Sequence, residues 1–379
     1  MSRKLKNKIW ISPPDIGDKE QQYVKDCFDS NWISTAGPQI TFFEKELSLL
    51  SDNYSVAALS SGTAAIHLAL ILLGVQKDDE VICSTFTFSA SANPIIYQGA
   101  KPIFIDSELD TWNMCPELLE EAIIDRLNHG KKPKAIILVY IYGMPAKINE
   151  ISMIAKKYDI PIIEDAAEAL GSKYLNKQLG SFFDFGIYSF NGNKIITSSG
   201  GGALISKNHK LIEKAKFLAT QAKDDVPYYQ HSEIGYNYRL SNVCAAIGRG
   251  QLDTLKDKVV KRRSIFNYYK DNLSCISDIE FLEERNPAYS NRWLTTIIIN
   301  DLNKIDPEII RLHLVKHNIE SRRLWKPMHT QPVFKEFQFY GGDTSESLFK
   351  KGLCLPSGSS LSNNQLDYII NVIKELYEA

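Results

Sequence analysis

The sequence predicts an α/β fold built on a large, mostly parallel sheet. Short apolar runs alternate with longer amphipathic runs from residue 54 to about residue 206. Strands that alternate with helices of this length form a largely parallel sheet with both faces covered. The apolar runs are rich in Ile and Val without polar alternation, which is typical of strands buried on both faces. After residue 206 the pattern changes to an α+β one.

The predicted elements of the first region follow one another as strand and helix. An apolar run over residues 55–59 ends in a small-residue turn, and helical spacing then extends over residues 63–73 and stops at Gly74. The other predicted strands occupy residues 80–83, 102–106, 134–141 and 160–164. The other predicted helices occupy residues 89–98, 116–127 and 148–158. In such sheets, ligands bind beyond the carboxyl ends of the strands.

The pattern after residue 206 predicts a smaller α+β domain in the C-terminal part of the chain. Helices are predicted over residues 211–221, 242–273 (as one or two long helices), 307–317 and 362–377. Strands are predicted over residues 293–300 and 320–325. We therefore expect a large domain that covers residues 1–255 and a small C-terminal domain that covers residues 256–379.

The overall composition argues against several classes of protein. The 379 residues include 44 Lys+Arg and 45 Asp+Glu, a formal charge of −1, so a basic nucleic-acid-binding domain is not expected. The six cysteines form no CxxC pair, which argues against zinc ribbons and cysteine-ligated clusters. No signal-peptide core follows the basic residues 1–8, and no apolar run approaches the ~18 residues that cross a bilayer. We expect a soluble, cytoplasmic enzyme without a membrane segment.

The first candidate site is the turn at residues 60–65, where a predicted strand leads into a predicted helix. Backbone N–H groups at a helix start, together with the helix dipole, favour a bound anion such as phosphate. Gly62 allows the backbone to approach the anion closely, and the hydroxyl of Thr63 can add a donor. An ordinary Ser/Thr cap after a glycine turn explains the same residues.

The second candidate site is Asp165, in the segment Ile-Ile-Glu-Asp-Ala-Ala-Glu-Ala at residues 162–169. Its place at the end of a buried strand directs it toward the expected ligand crevice. A carboxylate there can cap the next helix, ligate a metal, or hold a proton on a heterocycle. No histidine accompanies the acids in this segment, so we expect no metal.

The third candidate site is Lys194, which lies beside glycines and between apolar runs in the segment 185–202. A lysine in such surroundings can form a Schiff base with a carbonyl compound. The alternative is a lysine in a solvated turn. A phosphate cradle, an acid for a pyridine nitrogen and a Schiff-base lysine are together what pyridoxal 5′-phosphate requires from a protein.

Several long motifs in this order resemble the DegT/DnrJ/EryC1/StrS sugar aminotransferases, which are fold type I pyridoxal-phosphate enzymes. The resemblance extends from residue 11 to residue 358. It rests on the stretches SGTAAIHLAL, STFTFSASANPI, IEDAAEALGSKY, GIYSFNGNKIITSSGGG, IGYNYRLSNVCAAIG and RLWKPMHTQPVF. The resemblance implies a large domain with a mostly parallel seven-stranded sheet, and a smaller α+β C-terminal domain.

The resemblance also implies the roles of the cofactor-binding residues. Lys194 would be the catalytic residue and would carry pyridoxal 5′-phosphate as a Schiff base, while Asp165 would pair with the pyridinium nitrogen. The phosphate would be held by four residues, namely Gly62, Thr63, Ala64 and Ser189. Phe88 would stack on the cofactor ring, although a phenylalanine in the TFTF run can equally be a core residue.

The resemblance implies two further cofactor contacts. One is at a position where this chain differs from many relatives, and the other requires a second subunit. Glu168 occupies a position near the ring hydroxyl where many relatives have Gln or His, which leaves its hydrogen bonding open. Asn237 falls in a segment that crosses the dimer interface in the family, so it would contact the phosphate of the other subunit. A homodimer with shared active sites is therefore expected from the resemblance alone.

Substrate contacts are expected from residues that match the sugar-nucleotide side of the family's site. These residues are Trp32, Ser34, Arg239 and His329. Arg322, Arg323 and Lys326 could meet a diphosphate, although solvated charge explains them equally well. The implied reaction is a ping-pong transamination in which L-glutamate supplies the amino group to a ketone of a nucleotide sugar.

The motif Asn-Gly-Asn-Lys followed by Ser-Gly-Gly-Gly at residues 199–202 looks most like aminotransferases that make UDP-4-amino-4,6-dideoxy-N-acetylglucosamine in bacillosamine-type pathways. A UDP-4-keto-6-deoxy-N-acetylhexosamine is therefore the preferred substrate. Perosamine synthases, which act on GDP-4-keto-6-deoxymannose, tend to have Gly-Glu-Gly-Gly at this position and remain the alternative. Sugar dehydratases of the family replace the lysine with histidine and are disfavoured. From another class, a non-catalytic binding protein of the same fold is the remaining alternative.

Overall fold

The computed structural model describes residues 7–300 and 305–378, so residues 1–6 of the basic N-terminal segment lie outside it. The helices of this part of the chain are α1 (Asp18–Asp29), α2 (Pro38–Leu50), α3 (Gly62–Leu72), α4 (Ser89–Tyr97), α5 (Pro116–Asn128), α6 (Ile148–Tyr158), α7 (His209–Ala219), α8 (Asn242–Asp253), α9 (Leu255–Leu273), α10 (Pro307–Lys316), α11 (Thr344–Lys351) and α12 (Asn363–Lys374). None of these helices is both long enough and apolar enough to span a bilayer.

The strands of the same part of the chain form three sheets. They are β1 (Ser55–Leu59), β2 (Glu80–Ser84), β3 (Lys101–Ile105), β4 (Ala135–Val139), β5 (Ile162–Asp165), β6 (Lys173–Tyr174), β7 (Lys177–Gln178), β8 (Phe185–Ser189), β9 (Gly202–Ser206), β10 (Ile279–Phe281), β11 (Ala288–Tyr289), β12 (Thr295–Ile299), β13 (Arg322–Arg323), β14 (Phe339–Tyr340) and β15 (Gly352–Leu355).

The large sheet has the strand order β1-β9-β8-β5-β4-β2-β3-β14. All neighbours from β8 to β14 run parallel, and β9 is antiparallel to both β1 and β8. The α/β fold with a mostly parallel sheet is thus confirmed. Seven strands come from residues 55–206, and the short strand β14 from the C-terminal part adds an eighth at the edge beside β3.

Both faces of this sheet are buried because successive side chains of each strand enter opposite cores. In β4, Ala135 and Ile137 belong to one apolar cluster, whereas Ile136 and Leu138 belong to the other. Period-two alternation of side chains across a strand produces this division. A strand covered on both sides needs apolar residues at every position, which is why the predicted strands lacked polar alternation.

The C-terminal part has an antiparallel sheet of its own, with the order β10-β12-β15-β13. Side chains of α9, α10 and α12 pack with it in a third apolar cluster, which Ile9 from the N-terminal segment joins. The predicted boundary between residues 255 and 256 falls at the start of α9, directly after the end of α8 at Asp253. The division of the chain into two domains there stays a prediction.

Two features differ from the sequence-based expectation. The helices α1 and α2 were not predicted, although Tyr23, Val24, Cys27 and Phe28 recur at helical spacing in α1; of these four residues only Cys27 is buried. The strand predicted over residues 320–325 is reduced to the two residues of β13 at the edge of the small sheet. Tertiary contacts, such as the packing of α1 and α2 on α8, therefore decide these elements.

Candidate active site

A cavity of about 190 Å³ lies at the carboxyl ends of β5 and β8, beside the start of α3. It brings together residues that are distant in the chain but were predicted to act together. The predicted residues in its lining are Gly62, Thr63, Phe88, Asp165, Glu168, Ser189 and Lys194. The cavity therefore lies where ligands bind in open α/β sheets.

The start of α3 forms one wall of the cavity and is held close to the sheet by glycines. Ser61 caps the helix, since its Oγ accepts a hydrogen bond of 3.0 Å from the backbone N–H of Ala64. A Cβ at Gly62 would lie 3.3 Å from Cβ of Ser189, and one at Gly202 would lie 2.4 Å from the nitrogen of Gly62. The first turn of α3, with its positive dipole end, can approach β8 and β9 only because of these glycines.

Asp165 is the last residue of β5 and is only 5% exposed. Its Oδ2 accepts a hydrogen bond of 2.6 Å from Oγ of Ser91, and its Oδ1 accepts one of 3.2 Å from the N–H of Ala167. Burial raises the pKa of Asp165, while these two hydrogen bonds and the charge of Lys194 act in the opposite direction. The carboxylate is thus prepared for a positive partner in the cavity.

Lys194 lies in the irregular connection between β8 and β9, and its side chain is 12% exposed. Its Nζ is 3.4 Å from Oε1 of Glu168 and 4.2 Å from the centre of the Trp293 ring. The amine is therefore enclosed at the cavity and is not the solvated turn lysine that the sequence left open.

Glu168 is 6% exposed, and each of its two carboxylate oxygens has a partner. Together with Asp165 and Lys194 it forms what we call the cavity floor. Its Oε2 accepts a hydrogen bond of 2.7 Å from the backbone N–H of Tyr142, and its Oε1 faces Lys194. Burial raises the pKa of Glu168, while the charge of Lys194 counteracts that rise.

Phe88 stands at the cavity with its side chain half exposed, directly before α4. Its ring centre lies 5.1 Å from that of Trp325, with the two planes tilted by 47°. A core phenylalanine would be covered by protein, so the exposure favours the alternative of an aromatic face that awaits a flat ligand.

The predicted substrate residues Trp32 and Ser34 lie in the outer loop, which we define as residues 31–37. Trp32 is 49% exposed. Asn242 anchors this loop, because its Nδ2 donates to the carbonyl of Trp32 at 2.7 Å and its N–H donates to that of Ser34 at 2.6 Å. Neither Trp32 nor Ser34 lines the cavity.

Arg239, His329 and Asn237 also lie outside the cavity lining. Arg239 donates to Oε1 of Glu44 and, at 3.1 Å, to the carbonyl of Ala58. His329 accepts or donates through Nδ1 at 2.7 Å from Oγ1 of Thr85. Asn237 is exposed, and its Oδ1 accepts from Gln221 at 3.1 Å. Their roles toward a substrate or a second subunit stay predictions.

The basic residues near the C-terminal end of the chain are engaged in different ways. Arg322 donates to Glu320 at 2.8 Å and 3.0 Å. Arg323 donates to the carbonyls of Phe349 and Lys350 at the end of α11, while Lys326 is exposed. The contact of these three residues with a diphosphate is likewise still a prediction.

Sequence reasoning missed two residues that shape the site: Ser91 donates to Asp165, and Trp293 lies against Lys194. The cap at Ser61 agrees with the Ser/Thr cap that the sequence offered for residues 60–65. Ser91 lies inside a quoted motif, so a polar side chain one helical turn after Phe88 was an available signal. Trp293 has no such signal, because 99 positions separate it from Lys194 and only the fold brings the two together.

These residues fit pyridoxal 5′-phosphate. The start of α3 offers N–H groups that the first turn of a helix leaves without intrahelical partners, as a phosphate requires. The buried carboxylate of Asp165 and the enclosed amine of Lys194 face the same cavity. A Cβ at Gly202 would lie 2.4 Å from the backbone at the start of α3, so a larger residue there would push this helix start away from β9.

Comparison with known families agrees with this site. Residues 14–374 match the family described as DegT/DnrJ/EryC1/StrS aminotransferases. The chain belongs to this family. The predicted aminotransferase class is thereby confirmed, and family membership together with the fit of the site identifies pyridoxal 5′-phosphate as the cofactor of this member.

Curated relatives cover almost the whole chain. A Bacillus subtilis protein, EpsN, named as a pyridoxal phosphate-dependent aminotransferase, is 49% identical over 98% of this chain and 97% of its own length. The GDP-perosamine synthase of Escherichia coli O157:H7 is 38% identical over 97% of this chain and 98% of its own length.

Solved structures of family members have the same fold. The PLP form of the Streptococcus pneumoniae protein Spr1654, described as a sugar aminotransferase, is 28% identical and covers 98% of this chain and 99% of its own, with a TM-score of 0.89. A DegT/DnrJ/EryC1/StrS aminotransferase from Brucella abortus is 29% identical and covers 95% of this chain and 96% of its own, with the same TM-score of 0.89.

Proposed function

We propose that this family member transfers an amino group from L-glutamate to C4 of a nucleotide-linked 4-keto-6-deoxy sugar. The observation that carries the proposal is the meeting of Lys194, Asp165 and the start of α3 at one cavity. Relatives named as a sugar aminotransferase and as GDP-perosamine synthases support a sugar as the acceptor.

Each residue of the cavity floor has a separate task in this proposal. The bound cofactor supplies an electron sink for the bond electrons released at the amino donor. Lys194 would hold the cofactor through its amine, and after the amino group of the donor has displaced that amine, the free amine would take the proton from the donor carbon and give it back at a different carbon. Asp165 holds the proton on the ring nitrogen through its buried carboxylate. Glu168 lies close enough to Lys194 to keep the amine oriented during these steps.

The phosphate and the ring are bound by the cavity walls. Gly62, Thr63, Ala64 and Ser189 are proposed to hold the phosphate at the start of α3. The N–H of Ala64 already donates to Ser61, so its share would require a second acceptor at that group. Phe88 provides the face on which the ring stacks.

A second copy of the chain is proposed to complete the site. Asn237 is exposed on an extended segment that also carries Ile234, which is 87% exposed. Tyr228 and Tyr229, a few residues before it, are 63% and 85% exposed, and a group of exposed large apolar side chains favours an interface between protein chains. In the homodimer, Asn237 would bind the phosphate in the other subunit, and Trp32, Ser34, Arg239 and His329 would lie on the substrate side.

The preferred substrate is a UDP-4-keto-6-deoxy-N-acetylhexosamine, of the type that leads to bacillosamine. This preference rests on the residues Ser199-Gly200-Gly201-Gly202 after the lysine segment. GDP-4-keto-6-deoxymannose is the second candidate, and its support is the 38% identity to a GDP-perosamine synthase over nearly the full length.

The test offers the two nucleotide sugars separately to the holoenzyme with L-glutamate. We expect mass spectrometry and NMR to show a 4-amino sugar from the UDP substrate. A product from the GDP substrate alone would select the second candidate. If glutamate bleaches the yellow cofactor colour but neither sugar is aminated, both proposed acceptors are wrong. If glutamate does not bleach the colour, its proposed role as amino donor is wrong.

A further inference from the structure

The side chain of Lys194 has an unusual support. The residue lies in a turn without helix or strand structure, closed by a hydrogen bond of 3.0 Å from its own N–H to the carbonyl of Asn191. A side chain on such a connection is not oriented by a regular ladder of hydrogen bonds. Its direction must therefore come from contacts made by the neighbouring backbone.

The carbonyl of Asn193, directly before the lysine, receives two such contacts. Trp293 donates to it through Nε1 at 2.8 Å, and Ser12 donates through Oγ, also at 2.8 Å. The two donors are 281 positions apart in the chain. Trp293 is 1% exposed and Ser12 is 4% exposed, so both donor residues are buried, while the hydrogen bonds themselves are partly buried.

Arg262, in α9, ties the two donors to each other. Its guanidinium donates to Oγ of Ser12 at 2.9 Å and to the backbone carbonyl of Trp293. The residue is 1% exposed, and burial lowers the pKa of Arg262 to about 10, which leaves it charged at neutral pH. A buried cation in this place strengthens the hydrogen bonds that it donates.

Trp293 also touches the reactive group itself. The Nζ of Lys194 lies 4.2 Å from the centre of its ring, within the range of a cation–π contact. One tryptophan therefore contacts both the backbone before Lys194 and the end of its side chain.

We infer that Ser12, Arg262 and Trp293 form a clasp around the carbonyl of Asn193 that positions Lys194 for its reaction with the cofactor. This inference rests on the role of Lys194 in the proposed function. The members of the Asn193 clasp are positioning residues, since they act through Asn193 and Lys194. The clasp makes the orientation of the lysine depend on α9 and on the segment before β12, outside the motifs that line the cavity.

The variants that test the clasp remove its contacts one at a time. Trp293→Phe keeps an aromatic face and removes the Nε1 donor, Trp293→Leu removes both, and Ser12→Ala removes the other donor. The matched control is Tyr269→Phe, because it removes a buried hydrogen bond of 3.0 Å to the backbone carbonyl of Pro356, away from the cavity.

The measurement is the rate at which the cofactor-free variants take up pyridoxal 5′-phosphate, followed by the cofactor absorbance. We expect uptake to slow by about threefold in Trp293→Phe and Ser12→Ala, and by about tenfold in Trp293→Leu, from the usual strength of one hydrogen bond and one cation–π contact. The double variant Trp293→Phe/Ser12→Ala should slow by more than the product of the single effects, because the carbonyl then loses both donors.

The control separates positioning from general stability. Tyr269→Phe should lower the melting temperature as much as Trp293→Phe does and leave uptake within about twofold of the parent protein, since it loses one hydrogen bond of the same kind. In the loaded enzyme, kcat should fall in the clasp variants while the KM for glutamate is kept. Equal uptake rates in Trp293→Phe, Ser12→Ala and Tyr269→Phe would overturn the clasp.

Borohydride reduction followed by mass spectrometry distinguishes this failure from failure of the proposed function. If the parent protein is labelled at Lys194 and uptake is unchanged in every variant, the clasp is wrong and the role of Lys194 stands. If a different lysine is labelled, the proposed role of Lys194 is wrong and the clasp fails with it. Trp293→Phe and Ser12→Ala are small changes, so the test does not depend on whether Trp293→Leu folds.

Discussion

The cavity floor and the outer loop of this aminotransferase are built in different ways. Asp165 and Glu168 are 5% and 6% exposed, and each accepts a hydrogen bond from a backbone N–H. Trp32 in the outer loop is 49% exposed, and it is held through its backbone: its N–H donates to the carbonyl of Cys27 at 2.9 Å, and its carbonyl accepts from Asn242. The side chains of the floor are thus held before any ligand binds, whereas the Trp32 side chain is largely open to solvent. The difference teaches that the proposed reaction centre is preorganised on the sheet, and that the proposed substrate contact at Trp32 depends on a loop held by its backbone.

The largest expected effect is the loss of Lys194. Lys194→Ala and Lys194→Arg should reduce turnover by at least about 10³-fold, because they remove both the cofactor attachment and the proton-transfer group. Steady-state rates with glutamate and the nucleotide sugar measure the loss. Lys173→Ala, at an exposed position, should retain the parent rate. Normal turnover in either Lys194 variant would show that the floor is not the reaction centre.

The second effect concerns the charge at the end of β5. Asp165→Asn should lower kcat by about 10²-fold, because a neutral amide does not stabilise a positive ring nitrogen as a carboxylate does. Asp184→Asn is the matched control, since Asp184 accepts a hydrogen bond of 2.9 Å from the first residue of the same strand. Similar losses in both variants would mean that the effect comes from damage to β5 and not from the cofactor.

The third effect tests the outer loop. Trp32→Ala should raise the KM for the nucleotide sugar by about tenfold and keep kcat, because truncation of an aromatic contact weakens binding without touching the reacting atoms. Initial rates over a range of sugar concentrations measure the two constants. Met153→Ala, which truncates a side chain 72% exposed on α6, should change neither. A fall in kcat at constant KM would show that Trp32 acts in the chemical step, as the floor residues are proposed to do, and not in binding of the sugar.

The smallest expected effect is a change in pH dependence caused by Glu168. Its pKa is raised in the folded protein, so ionisation of Glu168 lowers stability as the pH rises through the folded value. Glu168→Gln carries no charge. The stability of the cofactor-free variant relative to the parent should therefore increase as the pH is raised from below the ordinary value of 4.5 toward neutrality. Urea unfolding at several pH values measures it, and parallel stability curves would contradict the burial argument.

Much of the floor was predictable from the sequence because its residues follow strands directly. A strand end points toward the crevice, so Asp165, the last residue of β5, was expected there from the pattern alone, whereas Ser189 was expected there from the family resemblance. The same holds for Gly62 at the start of α3. The strands themselves were recognisable because burial on both faces demands continuous apolar runs.

Other elements were decided by contacts between distant parts of the chain. The eighth strand of the large sheet, β14, has only two residues and exists because it pairs with β3. The helix α1 buries only Glu20 and Cys27 and lies against α8. No local pattern specifies such pairs, because their stability comes from surfaces that meet only after folding.

The sequence by itself determined the fold class, the family and the residues that meet at the cavity, since local periodicity and contiguous motifs encode them. Only the tertiary structure decided how Lys194 is held. Ser12 and Trp293 come from separate segments and donate to the carbonyl of Asn193, and Arg262 from a third segment donates to both of these residues. A hydrogen bond of this kind depends on distances in space, and spacing along a chain does not record them.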